Sequence, residues 1–236
     1  MQIFRDTKLN KDVFVELQET KYIRYDDLPL ETKDGRQISV EFVSNQYECD
    51  GIDIIQCNIR DNSKRNLSEI ALEATTRALK ILSESNVALL NSLTEQILLD
   101  EYCRIAVQTG GYRMDWIGFA KDITDKNVIP MAHFGKTEDC LVLDKITWAE
   151  EVSGNGPTGR AIRTMEVQVC ENISTDPTMK FWRKEALKCG YRSLIVLPFL
   201  LSDDTTACFS LFGTTSRFWS SPERDLLQEV AADLAF

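Results

Sequence analysis

Histidine is nearly absent from this sequence of 236 residues, and long apolar runs are missing altogether. The one histidine, His133, excludes sites that bind a metal through several histidines. No run reaches the roughly 18 apolar residues that a membrane-spanning helix needs, and neither G-x-S-x-G nor H-E-x-x-H occurs. We therefore expect no metal site, no catalytic residue and no contact with a membrane.

Positive charge is also scarce, because 27 Lys and Arg stand against 37 Asp and Glu, giving a formal net charge of -10. A chain this acidic lacks the cations that bind a phosphate backbone, so a nucleic-acid partner is not expected. The first residues, Met1 to Asp6, lack the apolar segment of a secretion signal. We expect a cytoplasmic protein.

The 7 cysteines are an odd number and are scattered along the chain. Their spacing contains no C-x-x-C metal or redox element and favours buried, reduced thiols. A Cys–His or Ser–His pair that uses His133 stays open as an alternative, although His133 lies in a strand-like segment. An enzyme with a cysteine nucleophile is therefore kept as a competing hypothesis.

Residues 154–161 come close to the phosphate-binding loop G-x-x-x-x-G-K-[ST], but the residues that perform its chemistry differ. Arg160 replaces the lysine, and Ala161 cannot bind Mg²⁺ as serine or threonine does. Pro157 also removes a backbone N–H from the loop. The segment therefore predicts a tight turn that leads into a helix and lines a pocket, without nucleotide hydrolysis.

The N-terminal part shows the pattern of a β-hairpin. Gln37–Phe42 alternates between apolar and polar residues, Asp50–Gly51 is a turn signal, and Ile52–Ile59 fits the returning strand. A short helix is predicted over Lys11–Thr20. This piece of about 60 residues is small for a core of its own.

The segment from Asn66 to about Gln108 contains neither glycine nor proline and predicts one long helix or two in tandem. Ser92–Glu95 fits a capping box, where a second helix would start. A heptad seam runs along the segment, formed by Leu72, Thr75, Leu79, Leu82, Asn86, Leu89, Leu93 and Gln96. The seam predicts a coiled coil between two subunits; an ordinary helix packed on its own domain is the alternative.

The second half predicts a compact unit of strands and helices. The predicted strands are Met114–Ala120, Val128–Phe134, Val167–Asn172, Ser193–Leu200 and Ala207–Thr214. Asp176–Pro177 predicts the start of a helix that Gly190 ends, and Ser221–Glu223 predicts the start of a last helix over Leu226–Ala235. Because this last helix has no stop signal, we expect the natural protein to continue.

Most aromatic residues of the second half fall in predicted strands and are interpreted as core. Trp148 and Trp182 fall outside the strands, near the glycine-rich loop and on a short helix. They are placed to wall a cavity for a small ligand, with Arg163 or Arg183 as a charged anchor.

Three segments of the N-terminal part carry a resemblance to a known family. They are Asp26–Arg36, Val40–Asn45 and Ile55–Asp61. Together they resemble the C-terminal half of a PAS sensor domain, which closes with a hairpin and an Arg–Asp exit into a signalling helix. We expect the first strands of that family and the helices around its ligand pocket to be absent, and therefore expect no haem or flavin pocket.

The second half is similar to a GAF domain of bacterial sensor proteins over about residues 88–236. The segments that carry the resemblance are Gly110–Gly118, Ile146–Trp148, Gly154–Thr164, Thr175–Pro177, Trp182–Arg183, Gly190–Ser193 and Leu226–Leu234. The resemblance implies a central antiparallel sheet with helices on one face and a small-molecule cavity on the other. It also implies a downstream output module, usually a histidine kinase or a diguanylate cyclase.

Two ligand chemistries of the family are not expected. The signature of its cyclic-nucleotide subclass is absent, and His133 has no neighbouring cysteine of the kind that the bilin-binding subclass needs. The cofactor or ligand is therefore left unidentified. The residues that the general cavity position of the family predicts as ligand-binding are Trp116, Trp148, Thr158, Arg163, Trp182, Tyr191 and Ser193.

We thus expect an α+β fold in three parts: half a PAS domain over 1–65, a signalling helix over 66–90 and a GAF domain over 91–236. The predicted function is sensory input in bacterial signal transduction, in which a small ligand or partner rearranges helices. The expected partners are a second copy through the linking helices and a downstream kinase or cyclase. The alternative is a structural dimerisation spacer with no ligand.

Overall fold

The computed structural model describes residues 15–32, 35–120, 125–135, 146–202, 205–217 and 219–235. Lys11–Phe14 of the predicted first helix, and Cys140, lie outside these residues. The chain divides into two compact units, Met1–Ile70 and Ala71–Phe236.

The secondary structure mixes helices and antiparallel strands. The described helices are α1 (15–20), α2 (Ser63–Asn91), α3 (Glu95–Gln108), α4 (Pro157–Thr164), α5 (Arg183–Lys188) and α6 (Ser221–Ala232). The described strands are β1 (Tyr22–Glu31), β2 (Gln37–Cys49), β3 (Ile52–Asp61), β4 (Met114–Ala120), β5 (Val128–Gly135), β6 (Gln168–Cys170), β7 (Ser193–Leu200) and β8 (Thr206–Gly213). None of these helices combines the length and the apolarity that crossing a bilayer requires.

The first unit is a three-stranded antiparallel sheet in the order β1-β2-β3. Asp50 and Gly51 both have positive φ, of 53° and 76°, as a two-residue hairpin turn requires. The predicted hairpin is therefore confirmed. Its core is formed by Leu17, Ile23, Leu28, Val40 and Phe42.

Strand β1 was not predicted, because its sequence lacks a regular alternation of apolar and polar residues. The register with β2 shifts between Tyr25 and Leu28, so the two aspartates between them interrupt the alternation. Asp27 accepts a hydrogen bond from the hydroxyl of Ser39 on β2 at 2.8 Å. Asp27 thus bonds across the sheet, while Asp26 pairs with Arg24 of its own strand at 2.8 Å.

Helix α2 begins where β3 ends. The Asp61 carboxylate accepts the backbone N–H of Ser63 at 2.8 Å, and this hydrogen bond lowers the pKa of Asp61. An acceptor at this position satisfies a free N–H group at the start of a helix.

The second unit contains a five-stranded antiparallel sheet in the order β5-β4-β8-β7-β6. The five strands predicted for this half all form, and the shortest, β6, lies at an edge. The expected α+β class with an antiparallel sheet is confirmed.

The two faces of this sheet bury different partners, because successive residues of a strand point to opposite sides. Ile117 and Phe119 of β4 belong to the core that includes residues of α2, α3 and α6. Met114 and Trp116 belong to a second core that includes residues of α4 and α5. Helices α2, α3 and α6 therefore cover one face, and the α4–α5 layer covers the other.

The predicted helical segment is split in two. Thr94 is the N-cap of α3, and its side chain accepts the backbone N–H of Ile97 at 3.3 Å. The predicted cap, Ser92, instead donates its hydroxyl hydrogen bond to the carbonyl oxygen of Ala88 at 2.8 Å. Leu93 of the heptad seam therefore lies in the connection between the helices.

The helix predicted after Asp176–Pro177 is also shorter than expected. Asp176 caps a 3₁₀ turn over Pro177–Met179, and α5 starts only at Arg183. Trp182 is thus the N-cap residue of α5, and its side chain packs against the core on the α4–α5 face of the sheet.

A candidate ligand cavity between the sheet and helix α4

The glycine-rich segment forms a loop that lies directly against the start of α4. A Cβ atom at Gly159 would lie 2.1 Å from the carbonyl oxygen of Gly154 and 2.8 Å from that of Thr147. No side chain fits at that distance, so only glycine allows this approach. Pro157 stands in the first turn of α4, where its missing N–H costs nothing.

Arg163 of α4 holds this loop from the other side. Its Nη1 donates to the carbonyl oxygens of Trp148, Ala149 and Gly154 at 2.8, 3.2 and 2.8 Å. Its Nη2 donates to Oδ1 of Asn155 at 3.2 Å. Arg163, which was predicted as a charged anchor for a ligand, thus donates its hydrogen bonds to the protein's own loop.

The loop, α4 and the sheet enclose a cavity of about 30 Å³. Its walls are mostly apolar side chains and glycine backbone. They are formed by Ile146, Thr147, Ser153, Gly156, Pro157, Thr158, Gly159, Met179, Trp182, Leu194 and Phe212. The volume suits one or two water-sized groups and is far below the roughly 300 Å³ or more of an ordinary ligand pocket.

Trp182 closes one side of the cavity. Its indole Nε1 donates to the carbonyl oxygen of Ser153 at 2.9 Å, and its ring meets Phe181 edge-on at a centroid distance of 4.9 Å. Gly156 lies against the ring, since a Cβ there would be 3.0 Å from the indole Cδ1. Movement of this one side chain would enlarge the cavity.

Of the predicted ligand-binding residues, Thr158 and Trp182 line the cavity. Trp148 packs at the edge of the same core, with the Lys126 ammonium 4.9 Å above its ring. Trp116 and Tyr191 are fully buried inside that core. Arg163 holds the loop, and the predicted alternative Arg183 donates to the carbonyl oxygens of Ile173 and Asp176.

Ser193 lies on the opposite face of the sheet from the cavity. Its neighbour Leu194 lines the cavity, and the alternation of β7 turns Ser193 away from it. The lining residues that were not predicted include Leu194 and Phe212 of the strands, Ile146, Thr147 and Ser153 before α4, and Met179 of the 3₁₀ turn. Strand alternation alone could have found the first two.

Three described cysteines of the second unit, Cys103, Cys170 and Cys208, lack the lowered pKa of an activated nucleophile. Burial raises the pKa of Cys170 and of Cys208 to about 12, and it raises that of Cys103 well above its ordinary value. A reactive cysteine needs a lowered pKa, because the thiolate is the nucleophile. No group of three or more potential metal ligands occurs in the part of the chain that the structure describes.

The family model for the GAF domain matches residues 70–236. The chain belongs to the GAF domain family. GAF domains are sensory ligand-binding modules in signalling proteins, and their role is typically regulatory. A comparison with curated proteins gives no match.

Solved structures show the same fold at low identity. The GAF domain of a phosphoenolpyruvate-protein phosphotransferase from Coxiella burnetii is 14% identical, with 68% of this chain and 92% of that one covered and a TM-score of 0.56. The free methionine-R-sulfoxide reductase from Neisseria meningitidis, in complex with its substrate, is 14% identical, with 67% and 86% covered and a TM-score of 0.55. The phycocyanobilin-bound GAF domain of a cyanobacterial phytochrome is 14% identical, with 67% and 91% covered and a TM-score of 0.51. These likenesses are of fold alone.

Proposed function

We propose that this chain is the sensory input module of a bacterial signal-transduction protein, in which a small ligand enters the cavity beside α4 and rearranges the helices on the other face of the sheet. The observation that carries the proposal is the position of the cavity. Only one layer of strands separates it from α3 and α6. The family's sensory role supports the same reading.

Neighbouring residues of β7 and β8 connect the cavity on one face of the sheet to the helices on the other face. Leu194 and Phe212 line the cavity, and their neighbours in the two strands, Ile195 and Leu211, pack into the helical core. A ligand that displaces the cavity wall would shift these strands, and tightly packed cores respond by moving as units. A differential affinity of about 1–3 kcal/mol for two helix arrangements would suffice.

The proposal for the rest of the protein rests on two features: the resemblance of the first unit to a PAS domain, and the position of α2 directly after it. Residues 1–65 would be the C-terminal half of a PAS domain, whose Arg60–Asp61 exit leads into α2 as a signalling helix. The output would be a histidine kinase or a diguanylate cyclase, and the protein would act in the cytoplasm.

The proposed homodimer rests on the exposed face of α2. Leu72 and Leu79 of the heptad seam are 67% and 51% exposed. The core-facing residues Ala74, Ala78 and Ile81 lie on a different face. Leu82 of the seam packs against the core of its own domain, whereas Leu72, Leu79 and Leu89 are exposed. These three exposed leucines fit the apolar contact of a coiled coil with a second copy of α2.

The alternative, a structural spacer with no ligand, is favoured by one observation. Trp116 is fully buried over the sheet, and a Cβ atom at Gly118 would lie 2.2 Å from its Cζ3. The indole therefore fills space on the cavity side with a side chain of the protein itself. Together with the small cavity volume, this arrangement fits a GAF domain that has lost its ligand.

Native mass spectrometry of the purified chain distinguishes the two functions. A sensory module is expected to carry a small molecule that co-purifies, and Leu194→Phe, which fills the cavity, should abolish that adduct. Leu200→Phe is the matched control, because Leu200 lies in the same strand but is 45% exposed. A wild-type mass without any adduct, together with no thermal stabilisation by a metabolite library, would favour the spacer.

A further inference from the structure

The described residues that line the cavity beside α4 are all uncharged. The apolar walls are formed by Ile146, Met179, Leu194 and Phe212. The Arg163 guanidinium behind the loop donates its hydrogen bonds to loop oxygens instead of facing a ligand. A charged group in this cavity would lose its hydration without gaining a partner of opposite charge. The cavity therefore disfavours both carboxylates and ammonium groups.

Three hydroxyl side chains also line the cavity, and two of them are hydrogen-bonded within the protein. The Thr147 hydroxyl donates to the carbonyl oxygen of Lys126 at 2.8 Å, and the Ser153 hydroxyl donates to the Glu151 carboxylate at 2.6 Å. Thr158 is only 9% exposed, yet its hydroxyl forms no hydrogen bond with any residue that the structure describes. Because buried hydroxyl groups almost always have a partner, this one indicates a missing ligand atom.

The Thr158 hydroxyl can be reached from the cavity. Some unpartnered polar atoms of this unit are sealed inside the core, such as Nε1 of Trp116 and Oγ of Ser210, so no ligand could touch them. Oγ1 of Thr158 differs, because it keeps accessible surface on a residue that is otherwise buried and lines the cavity. This oxygen is therefore a contact point for a molecule in the cavity.

The first turn of α4 supplies further donors at the same wall. Residues Gly156–Gly159 all line the cavity, and the N-cap Gly156 has no side chain that could cap the helix. The backbone N–H groups of Thr158 and Gly159 have no acceptor among the described residues, as is usual in the first turn of a helix. The partial positive charge of a helix N-terminus favours an oxygen that accepts hydrogen bonds.

We propose that the cavity binds a small uncharged carbonyl compound, namely a ketone or an aldehyde with an apolar body. Its oxygen accepts hydrogen bonds from the Thr158 hydroxyl and from the first turn of α4, and its hydrocarbon part lies against Leu194 and Phe212. A hydrocarbon would leave the donors unsatisfied, and an ion would have to shed its hydration. This inference rests on the proposed sensory function, because it names the ligand class of the same cavity.

Trp182 has to move when such a molecule enters. The closed cavity of about 30 Å³ admits only one or two water-sized groups. The indole of Trp182 forms one side of it and is held by a single hydrogen bond, from Nε1 to the carbonyl oxygen of Ser153 at 2.9 Å. A displaced Trp182 would thus accompany binding and disturb the loop before α4.

The test is calorimetric titration of the whole chain with a series of ring compounds of matched size. The series consists of cyclopentanone, cyclopentane, cyclopentanecarboxylate and protonated cyclopentylamine, and the smaller ketones acetone and butanone are added. At least one ketone should bind and raise Tm by about 2 °C or more at saturation. The hydrocarbon, the carboxylate and the ammonium compound should each bind about tenfold more weakly or worse.

Matched variants locate the binding. Thr158→Val keeps the shape of the side chain but removes its hydroxyl, so it should weaken ketone binding about fivefold or more and leave cyclopentane binding unaltered. Thr164→Val is the control, because the Thr164 hydroxyl lies on the exposed side of the same helix and donates to the carbonyl oxygen of Arg160. Leu194→Phe fills the cavity and should abolish the binding of every compound.

The proposal is overturned if no ketone binds, if the carboxylate or the ammonium compound binds as well as the ketones, or if Thr158→Val binds them as tightly as the wild type. Ketone binding that survives Leu194→Phe would place the ligand elsewhere and equally overturn it. A charged molecule that co-purifies and that Leu194→Phe removes would overturn only this inference and leave the sensory function standing.

Discussion

Two carboxyl groups of the described residues, those of Asp115 and Glu223, are fully buried. They differ in that Glu223 has an ion-pair partner among the described residues, whereas Asp115 has none. Glu223 pairs with the Arg217 guanidinium and accepts a hydrogen bond from the Tyr112 hydroxyl at 3.3 Å. Asp115 faces the helical side of β4, and both of its oxygens lack a partner within the described part of the chain. Burial raises the pKa of Asp115 well above its ordinary value, while the nearby Cys103 thiol lowers it to a smaller extent.

The raised pKa of Asp115 predicts a pH-dependent stability. The folded chain retains a proton that the unfolded chain releases, so the Asp115 contribution is fully favourable below the ordinary Asp pKa and is lost as pH rises above it. Asp115→Asn should therefore gain stability relative to the wild type as pH rises above the ordinary Asp pKa, with a slope of at most about 1.4 kcal/mol per pH unit. Urea unfolding at several pH values, followed by tryptophan fluorescence, measures this. Parallel curves for the two proteins would contradict it, and Asp225→Asn, at an exposed site, serves as control.

The ion pair of Glu223 predicts a large effect of one substitution. Arg217 also stacks over the Trp219 ring, with its guanidinium carbon 4.2 Å from the centroid. Arg217→Gln leaves the carboxylate of Glu223 buried without its cation and should reduce the free energy of unfolding by about 3–5 kcal/mol. The exposed pair Arg65–Glu69 offers the contrast, because Arg65→Gln breaks an ion pair between two solvent-exposed side chains and should leave the free energy of unfolding nearly unchanged. Equal effects in urea unfolding would contradict the assigned role.

For single residues, the sequence indicates which side chains lie near a cavity better than it indicates their hydrogen-bond partners. Thr158 and Trp182 were expected at a cavity and line one. The three carbonyl oxygens that Arg163 binds belong to the backbone of the loop. The direction in which a loop carbonyl points cannot be predicted from the residue types. Ile146 and Met179 reach the cavity from irregular segments, where no periodicity tells which way a side chain points.

Among the elements, the start of α3 rests on one side chain. The hydroxyl of Thr94 satisfies an N–H group that the helix leaves free. Thr94→Ala should lower the free energy of unfolding by about 1 kcal/mol. Thr76→Ala is the control, since the Thr76 hydroxyl only bonds back to the carbonyl oxygen of Leu72 on the exposed side of α2. A loss in the control as large as that in Thr94→Ala, by urea unfolding, would show that the cap is not the cause.

The elements that were predicted well are those with uninterrupted patterns. Strands β4 and β7 are apolar along nearly their whole length and are bounded by glycine or polar residues, so Met114–Ala120 and Ser193–Leu200 were predicted with their true limits. The helix around Trp182 was overextended, because Asp176–Pro177 starts a 3₁₀ turn as readily as an α-helix. Met179 at the end of this turn is buried, and such tertiary packing cannot be inferred from the local sequence.

For the whole molecule, the proposed dimer gives a direct prediction. Leu79→Gln combined with Leu89→Gln places two amides at exposed positions of the α2 seam and should convert a dimer of twice 26.9 kDa into a monomer. Val87→Gln is the control, because Val87 is 58% exposed on another face of the same helix. Sedimentation equilibrium measures the mass. A monomeric wild type would contradict the dimer, as would an unaltered mass in the double variant.

The central claim is that the state of the cavity beside α4 reaches the helices across the sheet, and hydrogen–deuterium exchange tests it most directly. Leu194→Phe fills the cavity permanently, and its exchange should be compared with that of the wild type and of Leu200→Phe. The account predicts altered protection in α3 and α6 as well as in α4, with the control resembling the wild type. Changes confined to α4 and its adjoining loops would contradict the account.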